Sequence, residues 1–498
     1  MQYDYVIIGG GTAGVVAAYR LAEKRIGTVL LIEAGVSDEN RTEVLHLDQW
    51  QWLLKSEYDY DYTIEPQQKG NDFMRHSRAK VMGGCSSHNS AIAFQAPDHD
   101  FHYWQTLGVE GWEPATVRPF YRKVLEKVNV EVSDSQNACG KALLQACAEY
   151  GIPLVSFEQA TYREGAAWFS LNKKGNIRQS SSVAYLYPYN NIPSDLTLMT
   201  QTMVTGLIID ENKQVRGVKT SQGKVNVNRE AILSGGAFNT PQLLMLSGVG
   251  PAAHLQQMEV PTVLDLPGVG KHLVDHPEGV IVWEAAQKVP ELSAQKYEIG
   301  FFCKTRPDLN MADVMFHFGT EAFDMNTRPA GFPTAENAFS LTPNVMQARS
   351  EGEVLLRSKN PYDSPKIDPK YFTDPQGYDE QVMLAGLKIA RELARQPALQ
   401  PWIKRELAPG PDIQDDDALL QYIYQTHNTV YHPAGTCKMG KRDDPMTVTD
   451  SQLRVKGMKN LRIADASVFP AITSVNPGIT CMMIGERCAD FILKSTKK

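Results

Sequence analysis

Three glycines near the N-terminus have the spacing of a phosphate-binding turn. Gly9, Gly11 and Gly14 form G-x-G-x-x-G, and Glu33 lies 19 residues after Gly14. The first glycine permits a tight turn, the second lets a pyrophosphate approach the backbone, and the third lets a helix pack against a strand. An acid at this distance accepts hydrogen bonds from ribose hydroxyls. The pattern predicts a dinucleotide site without distinguishing FAD from NAD, and a purely structural glycine turn is the alternative.

The elements around these glycines are those that such a site needs. An apolar run precedes Gly9, residues 13–23 have helical spacing, and residues 28–32 form a short apolar run typical of a buried parallel strand. A second stretch of this kind runs from 198 to about 250, and the tail from 461 to 493 reads as strand, loop and helix. The length of 498 residues fits two or three domain-sized units, so we expect an α/β nucleotide-binding domain and at least one more.

The segment from 278 to about 429 has a different pattern. It contains alternating strand candidates at 312–317 and 352–356, and one long amphipathic helix that carries Met383, Leu387, Ala390 and Ala394 on one face. A loop rich in proline and glycine at 326–334 is a candidate lid. We interpret the segment as a sheet-plus-helix substrate domain inserted into the nucleotide-binding domain.

Charge and composition exclude several classes of function. The net charge of -7 argues against a nucleic-acid partner, because binding phosphate groups requires a basic surface. No run of about 18 apolar residues is present, so we expect no membrane span, and no secretory signal is expected. The seven cysteines form no CxxC pair and no cluster with histidine, which favours reduced thiols, a cytoplasmic protein and no metal site.

Four blocks of sequence resemble signatures of the glucose-methanol-choline oxidoreductase family. They are residues 78–89, 236–250, 427–433 and 475–480, in the order in which the family has them. The resemblance implies FAD, oxidation of a primary alcohol, and a Rossmann-like FAD-binding domain at 1–125, 167–277 and 430–498. It implies a substrate-binding domain at 126–166 and 278–429, and a homodimer is a further expectation. Within the family, residues 83–90, 323–327 and 482–490 are most similar to members that oxidise choline.

The resemblance assigns cofactor-binding residues position by position. Beside Gly9, Gly11, Gly14 and Glu33 they are Gly83, Gly84, His88, Asn89, Val204, Asp465, Asn476 and Pro477. His88 stands where choline-oxidising members attach FAD covalently through a ring nitrogen. A histidine that only hydrogen-bonds near the flavin is the alternative.

The same resemblance supplies a catalytic group that suits alcohol oxidation. His432 and Asn476 match the catalytic pair, and His317 and Ser90 match further groups beside the substrate. A histidine takes or holds the hydroxyl proton, and an amide orients the oxygen. The remaining histidines are interpreted as ordinary polar groups: His46, His76, His99, His102, His254, His272, His276 and His427.

Aromatic residues and one carboxylate match a cation site: Trp50, Glu278, Tyr297, Phe323 and Tyr431. Such residues suit a quaternary ammonium group, which donates no hydrogen bond and binds aromatic faces. We therefore expect choline or a related amino alcohol as substrate and oxygen as electron acceptor. Tyr297 stands where the family pattern has tryptophan, which leaves the substrate open. The alternatives are a dehydrogenase with another acceptor, an oxidase of non-cationic primary alcohols and, more distantly, a non-redox lyase on the same fold.

Overall fold

Helices and strands occur throughout the computed structural model, which describes residues 1–157, 164–189 and 192–496. The helices are α1 Thr12–Glu23, α2 Thr42–Leu45, α3 Asp98–Thr106, α4 Pro114–Leu125, α5 Ala138–Tyr150, α6 Ser181–Leu186, α7 Gly236–Leu246, α8 Ala252–Gln257, α9 Tyr378–Ala394, α10 Asp416–Thr426 and α11 Gly478–Ser495. The strands of the first half are β1 Gln2–Ile8, β2 Val29–Ile32, β3 Tyr62–Thr63, β4 Arg75–His76, β5 Glu131–Val132, β6 Gly165–Trp168, β7 Ser170–Leu171, β8 Lys173–Lys174, β9 Ile177–Arg178, β10 Leu196–Met199, β11 Val204–Ile209, β12 Val215–Thr220 and β13 Gly223–Leu233. Those of the second half are β14 Val249–Gly250, β15 Leu264–Asp265, β16 Lys271–Leu273, β17 Pro277–Glu278, β18 Ile281–Ala285, β19 Ile299–Cys303, β20 Val314–Gly319, β21 Ala338–Val345, β22 Gly352–Leu355, β23 Lys366–Asp368, β24 Ile403–Ala408, β25 Asn428–Thr429 and β26 Leu461–Ile463.

The first large sheet has seven strands in the order β10-β2-β1-β13-β12-β11, with β26 added beside β13. The strands β10, β2, β1, β13 and β26 run parallel, whereas β12 and β11 form an antiparallel extension. Residues 5–8 of β1 and the whole of β2 are short, fully buried apolar runs, as strands between helix layers must be. The α/β nucleotide-binding fold predicted from β1, α1 and β2 is confirmed, and so is the strand–loop–helix tail formed by β26 and α11.

The second large sheet is antiparallel and has eight strands. Its order is β24-β18-β21-β20-β19-β6, and β17 pairs with both β21 and β25. Helix α9 packs on it with Met383, Leu387 and Ala390 buried, which confirms the predicted amphipathic helix. The predicted sheet-plus-helix unit is therefore present.

The alternating pattern predicted at 312–317 is wrong in detail. The strand begins at Val314, and every residue of β20 is buried. Phe316 packs into the core shared with α9, whereas its neighbour Met315 packs into the core of the first sheet. Because each face of β20 meets a different core, neither face is left for water and no polar side is needed.

Three strands pair across the predicted domain limits. The strand β6 crosses residue 167, where the FAD-binding domain was expected to resume, and pairs with β19 of the second sheet. The strands β22 and β23 pair with β16 in a separate sheet of three. The predicted segment 126–166 includes 158–163, which lie outside the described residues, and the domain limits stay a prediction. No helix in the described part of the chain is long and apolar enough to cross a membrane.

Candidate active site

One cavity is lined by residues from both large sheets. Gly9 follows β1, Glu33 follows β2, Ser234 follows β13 and Asp465 lies just beyond β26, and all four line its wall. In open α/β sheets, ligands bind beyond the carboxyl ends of the parallel strands. The cavity thus occupies the position expected of a nucleotide site, and it continues to the substrate side of the molecule.

Most of the residues predicted from the sequence meet at this cavity. On the cofactor side they are Gly9, Gly11, Glu33, Gly84, His88, Asn89, Val204, Asp465, Asn476 and Pro477. On the substrate side they are Trp50, Ser90, Glu278, Tyr297, His317, Phe323, Tyr431 and His432. Gly14 and Gly83 do not line the cavity, but both contact the backbone of the turn that does.

The glycines of the first turn bring three backbone segments together. Gly9 has φ +109°, and a Cβ atom on it would lie 2.3 Å from the carbonyl oxygen of Ser234. A Cβ atom on Gly14 would lie 2.1 Å from the carbonyl oxygen of Gly9, so only glycine lets α1 approach the turn this closely. Behind the wall, the N–H of Gly83 donates to the carbonyl oxygen of Gly10 at 2.7 Å. The N-terminus of α1, which favours anionic groups, is held at the cavity by these contacts.

Glu33 braces the same turn. Its Oε2 accepts a hydrogen bond from the N–H of Gly10 at 2.8 Å, and its Oε1 accepts one from the N–H of Gly35 at 2.8 Å. Burial raises the pKa of Glu33 to about 7, although these backbone donors favour its charged form. The role of Glu33 toward a ribose stays a prediction, and its place on the cavity wall is compatible with it.

His88 follows a tight 3₁₀ turn at Gly84–Ser87. The ring is 5 % exposed, and its Nε2 lies 3.2 Å from the carbonyl oxygen of Leu53. Burial lowers the pKa of His88 to about 4, and the charge of Arg178 acts in the same direction. His88 is therefore a neutral imidazole at neutral pH, with a ring nitrogen whose lone pair is not protonated.

The opposite side of the cofactor region is formed by Asp465 and by the start of α11. Oδ2 of Asp465 accepts from the N–H of Gly236 at 2.9 Å and from the hydroxyl of Thr240 at 2.6 Å, which orders the first turn of α7. Asn476 is 8 % exposed, and its Oδ1 has no hydrogen-bond partner within the described chain. A buried amide oxygen of this kind requires a donor, which a bound cofactor or substrate provides. The glycine cradle, the helix termini and this orphan acceptor fit FAD.

Pairing within the second sheet places the substrate-side residues. Glu278 on β17 lies opposite Asn428 on β25 and opposite Asn344 on β21. His317 on β20 lies opposite Gly300 on β19. These three strand pairings bring residues that are far apart in the chain to the same wall of the cavity.

His432 forms a direct contact with a second histidine. Its Nδ1 lies 2.9 Å from Nδ1 of His276, whose Nε2 lies 3.0 Å from the carbonyl oxygen of Met346. A carbonyl only accepts, so Nε2 of His276 carries the hydrogen, and its Nδ1 accepts from Nδ1–H of His432. Burial, together with the neighbouring His276, holds the pKa of His432 well below its ordinary value. The neutral ring of His432 thus keeps its lone pair on Nε2.

The interpretation of His276 as an ordinary polar group stays a prediction, but it did not include this contact with His432. His276 determines the tautomer of the predicted catalytic histidine. Its position in Asp275-His276-Pro277-Glu278, two residues before the predicted carboxylate Glu278, is the one signal in the sequence that points to it.

Asp275 organises the backbone around this pair. Its Oδ1 accepts from the N–H groups of His276 and His432, at 2.8 and 2.9 Å. Its Oδ2 accepts from His76, Tyr371 and Thr429. Burial by itself would raise the pKa of Asp275, but its hydrogen bonds with His76, Thr429 and Tyr371 hold the pKa well below its ordinary value. No pattern in the sequence singles out Asp275 for this role.

Tyr431 occupies a strained backbone conformation. Its φ is +63°, which is rare for a bulky residue. Its N–H donates to the hydroxyl of Thr429 at 2.8 Å, and its carbonyl oxygen accepts from Arg78. These bonds maintain a reversal of the chain that places both Tyr431 and His432 on the cavity wall.

Glu278 is buried among neutral partners. The side-chain amides of Asn344 and Asn428 lie 3.4 Å from its two oxygens, and the carboxyl is 6 % exposed. Burial raises the pKa of Glu278 to about 8, against the effect of the amides and of Thr342. Among the described residues no lysine, arginine or histidine forms an ion pair with it. An isolated buried carboxyl group is costly to ionise unless a cation arrives beside it.

Three aromatic rings form one group at this end of the cavity. The ring of Tyr297 lies 6.1 Å from that of Trp50 and 5.8 Å from that of Phe323, edge to face in both cases. The hydroxyl of Tyr297 donates to Oε1 of Glu321 at 3.3 Å. Tyr431, the fourth aromatic residue predicted for the cation site, also lines the cavity.

His317 and Ser90 also lie on the cavity wall. Burial lowers the pKa of His317 to about 4, and a hydrogen bond with Asn344 opposes this shift. His317 is therefore also neutral at neutral pH. Because Asn344 contacts both His317 and Glu278, it links the two parts of the substrate side, a role that the sequence did not indicate.

Comparison with known proteins agrees with this arrangement. The GMC oxidoreductase family models match residues 3–278 and 348–485. The chain is 47% identical to the choline oxidase of Arthrobacter globiformis, over 99% of this chain and 94% of that protein. It is 33% identical to the mitochondrial choline dehydrogenase of Mus musculus, over 99% of this chain and 89% of that protein.

A solved structure shows the same fold along nearly the whole chain. The pyridoxine 4-oxidase from Mesorbium loti superposes with a TM-score of 0.89 at 27% identity, covering 98% of each chain. Oxidases and dehydrogenases of alcohols both occur among the relatives. The family models cover more than half of the chain, and their limits include the glycine turn, His88, Glu278 and His432. This protein belongs to the GMC oxidoreductase family of FAD-dependent alcohol oxidoreductases.

Proposed function

We propose that the protein oxidises choline or a related amino alcohol, with oxygen as the electron acceptor. The proposed substrate class rests on Glu278, a buried carboxyl group that has neutral partners and lies beside a group of aromatic rings. A substrate with a cationic nitrogen supplies the missing counter-ion, and aromatic faces accept its methyl groups. The similarity to a choline oxidase supports the same substrate class.

The proton of the substrate hydroxyl passes to Nε2 of His432. That nitrogen carries a lone pair because Nδ1–H of His432 donates to His276. The imidazolium that forms keeps this hydrogen bond and lies near the negative charge of Asp275, whose oxygen accepts from the backbone N–H of His432. Asn476, Ser90 and His317 are the further polar groups that hold the oxygen. The glycine turn at Gly9 and Gly11 and the start of α11 would hold FAD, which would supply the acceptor for the hydride.

We also propose that FAD is attached covalently through His88. The ring is neutral at neutral pH, lies on the cavity wall and has a nucleophilic nitrogen. The turn at Gly84–Ser87, next to Gly11 of the nucleotide site, supports a flavin position beside it.

A dehydrogenase that uses another electron acceptor is the second candidate, because alcohol and choline dehydrogenases are among the relatives. The test measures oxygen consumption by the purified protein with choline, betaine aldehyde and simple primary alcohols. Rapid oxygen uptake with choline supports the proposal. Reduction of an artificial acceptor without oxygen uptake would favour the dehydrogenase, and turnover of neutral alcohols alone would exclude a cationic substrate.

We place the protein in the cytoplasm. All seven cysteines are free, as expected of a chain kept under reducing conditions.

A further inference from the structure

A second carboxylate contacts the aromatic group from behind. Glu321 lies two residues beyond the end of β20 and is half-buried. Its Oε1 accepts from the hydroxyl of Tyr297 at 3.3 Å and from the side-chain amide of Gln51. Glu321 does not line the cavity, whereas Tyr297 does. No lysine or arginine in the described part of the chain forms an ion pair with it.

Glu321 joins the segments that carry the aromatic rings. Gln51 follows Trp50 in the 3₁₀ turn at Leu47–Leu53, and Phe323 lies two residues after Glu321. The backbone carbonyl of Glu321 accepts from the hydroxyl of Ser340 on β21 at 3.0 Å, which anchors this segment to the sheet. The Glu321 carboxylate therefore links the three chain segments that carry Trp50, Tyr297 and Phe323.

The charge of Glu321 also changes the ring that it contacts. A phenol that donates to a carboxylate becomes more electron-rich, and the attraction between an aromatic face and a cation is electrostatic. Burial and the nearby Glu321 both raise the pKa of Tyr297 well above its ordinary value, so the phenol stays neutral and the hydrogen bond persists across the working pH range.

We propose that Glu321 is a specificity-determining residue that acts through Tyr297. It orients the Tyr297 ring and makes it a better partner for a cationic nitrogen, so that the site selects alcohols bearing a quaternary or protonated amine. The inference rests on the proposed function, because it concerns the same substrate class. It is distinct from the role of Glu278, which lines the cavity and meets the cation directly.

The test compares choline with its neutral isostere 3,3-dimethylbutanol in Glu321→Gln and in Tyr297→Phe. In each variant the ratio of kcat/KM for the cation to that for the neutral alcohol is expected to fall about three- to tenfold. The loss is expected in KM rather than in kcat. The inhibition constant of tetramethylammonium, measured with the holoenzyme, is expected to rise by the same factor. The double variant is expected to lose no more than either single one, because both changes break one interaction.

A matched control is Asp324→Asn, which removes a negative charge from the same segment. The side chain of Asp324 accepts from the hydroxyl of Thr334 at 2.5 Å, whereas Tyr297 donates to Glu321. The control is expected to keep the wild-type ratio.

The possible results separate this inference from the proposed function. If the wild type shows no preference for the cation, the proposed substrate class is wrong. If the wild type prefers the cation while Glu321→Gln and Tyr297→Phe keep the ratio, the inference is overturned. The inference is also overturned if both variants weaken the two substrates equally, or if the two losses add. Should Glu321→Gln fail to fold, Tyr297→Phe decides alone, since it removes only the donor.

Discussion

Nδ1 of His432 lies 2.9 Å from Nδ1 of His276, although 156 residues separate them in the chain. The second nitrogen of His276 is occupied by the carbonyl oxygen of Met346 at 3.0 Å. This contact leaves His276 only the role of acceptor toward His432. Nε2 of His432, the proton acceptor that we propose, is thus left with its lone pair by the contact of Nδ1 with His276.

The first prediction concerns these two histidines. His432→Ala is expected to keep its flavin and to lose about 10²–10⁴-fold in the rate of flavin reduction, since one general base contributes that much. His276→Leu is expected to lose about tenfold or more, because the ring of His432 is then free to adopt the wrong tautomer. Anaerobic stopped-flow absorbance measures both rates. A rate within a few-fold of wild type in His432→Ala would assign the proton to another group, with His317 the next candidate.

The second prediction concerns the attachment of FAD. After acid precipitation the yellow colour is expected to stay in the pellet, and the intact mass is expected to exceed that of the chain by one FAD. His88→Asn is expected to release its flavin into the supernatant while still folding, because the remaining cavity contacts of the cofactor persist. Complete release of flavin from the wild-type protein would show that His88 only contacts the cofactor.

The third prediction is a pH dependence that follows from Glu278. The pKa of this group is raised to about 8 by burial, and a cationic substrate binds the ionised form. Below that pKa the carboxyl must lose a proton before it pairs with the cation. We therefore expect kcat/KM for choline to fall as the pH drops below about 8, approaching tenfold per pH unit. The neutral isostere lacks the charge, so its profile is expected to lack this step, and identical profiles for the two alcohols would contradict the assignment.

The fourth prediction removes the same charge by substitution. Glu278→Gln is nearly isosteric, but it cannot pair with a cation. Its KM for choline is expected to rise far more than its KM for the neutral isostere, and the pH step near 8 is expected to disappear. Steady-state kinetics of both alcohols across pH provides the measurement. An unchanged ratio of the two KM values would mean that the cation is bound elsewhere or that the natural substrate is neutral.

The fifth prediction concerns stability at Asp275. This carboxylate accepts hydrogen bonds from three side chains and two backbone N–H groups. Asp275→Asn replaces one acceptor oxygen by a donor that faces other donors, and we expect a loss of about 2–4 kcal/mol of stability from buried groups left unpaired. Thermal and urea denaturation of the holoenzyme measure the loss. A melting temperature equal to that of wild type would show that the network rearranges without cost.

Much of the nucleotide-binding part follows from the sequence alone. The strand β1, the glycine turn, the helix α1 and the strand β2 are adjacent in the chain, and their signals are local. Apolar runs of four residues in β1 and β2, together with the spacing of Gly9, Gly11 and Gly14, suffice to predict them. The signature blocks likewise single out His88, His432 and Asn476 as candidates, because each lies within a short distinctive stretch.

Only the tertiary structure determines which residues on the substrate side of the cavity are in contact. Pro277 pairs with Thr429 and Glu278 pairs with Asn428, which brings Asp275 and His276 beside His432. Strand register depends on packing between distant segments, so no local pattern announces it. The contact between Tyr297 and Glu321 has the same origin, since one precedes β19, the other follows β20, and these two strands are paired. The sequence determined which groups the protein carries, whereas the pairing of strands determined which of them touch, and so set the tautomer of His432 and the charge beside Tyr297.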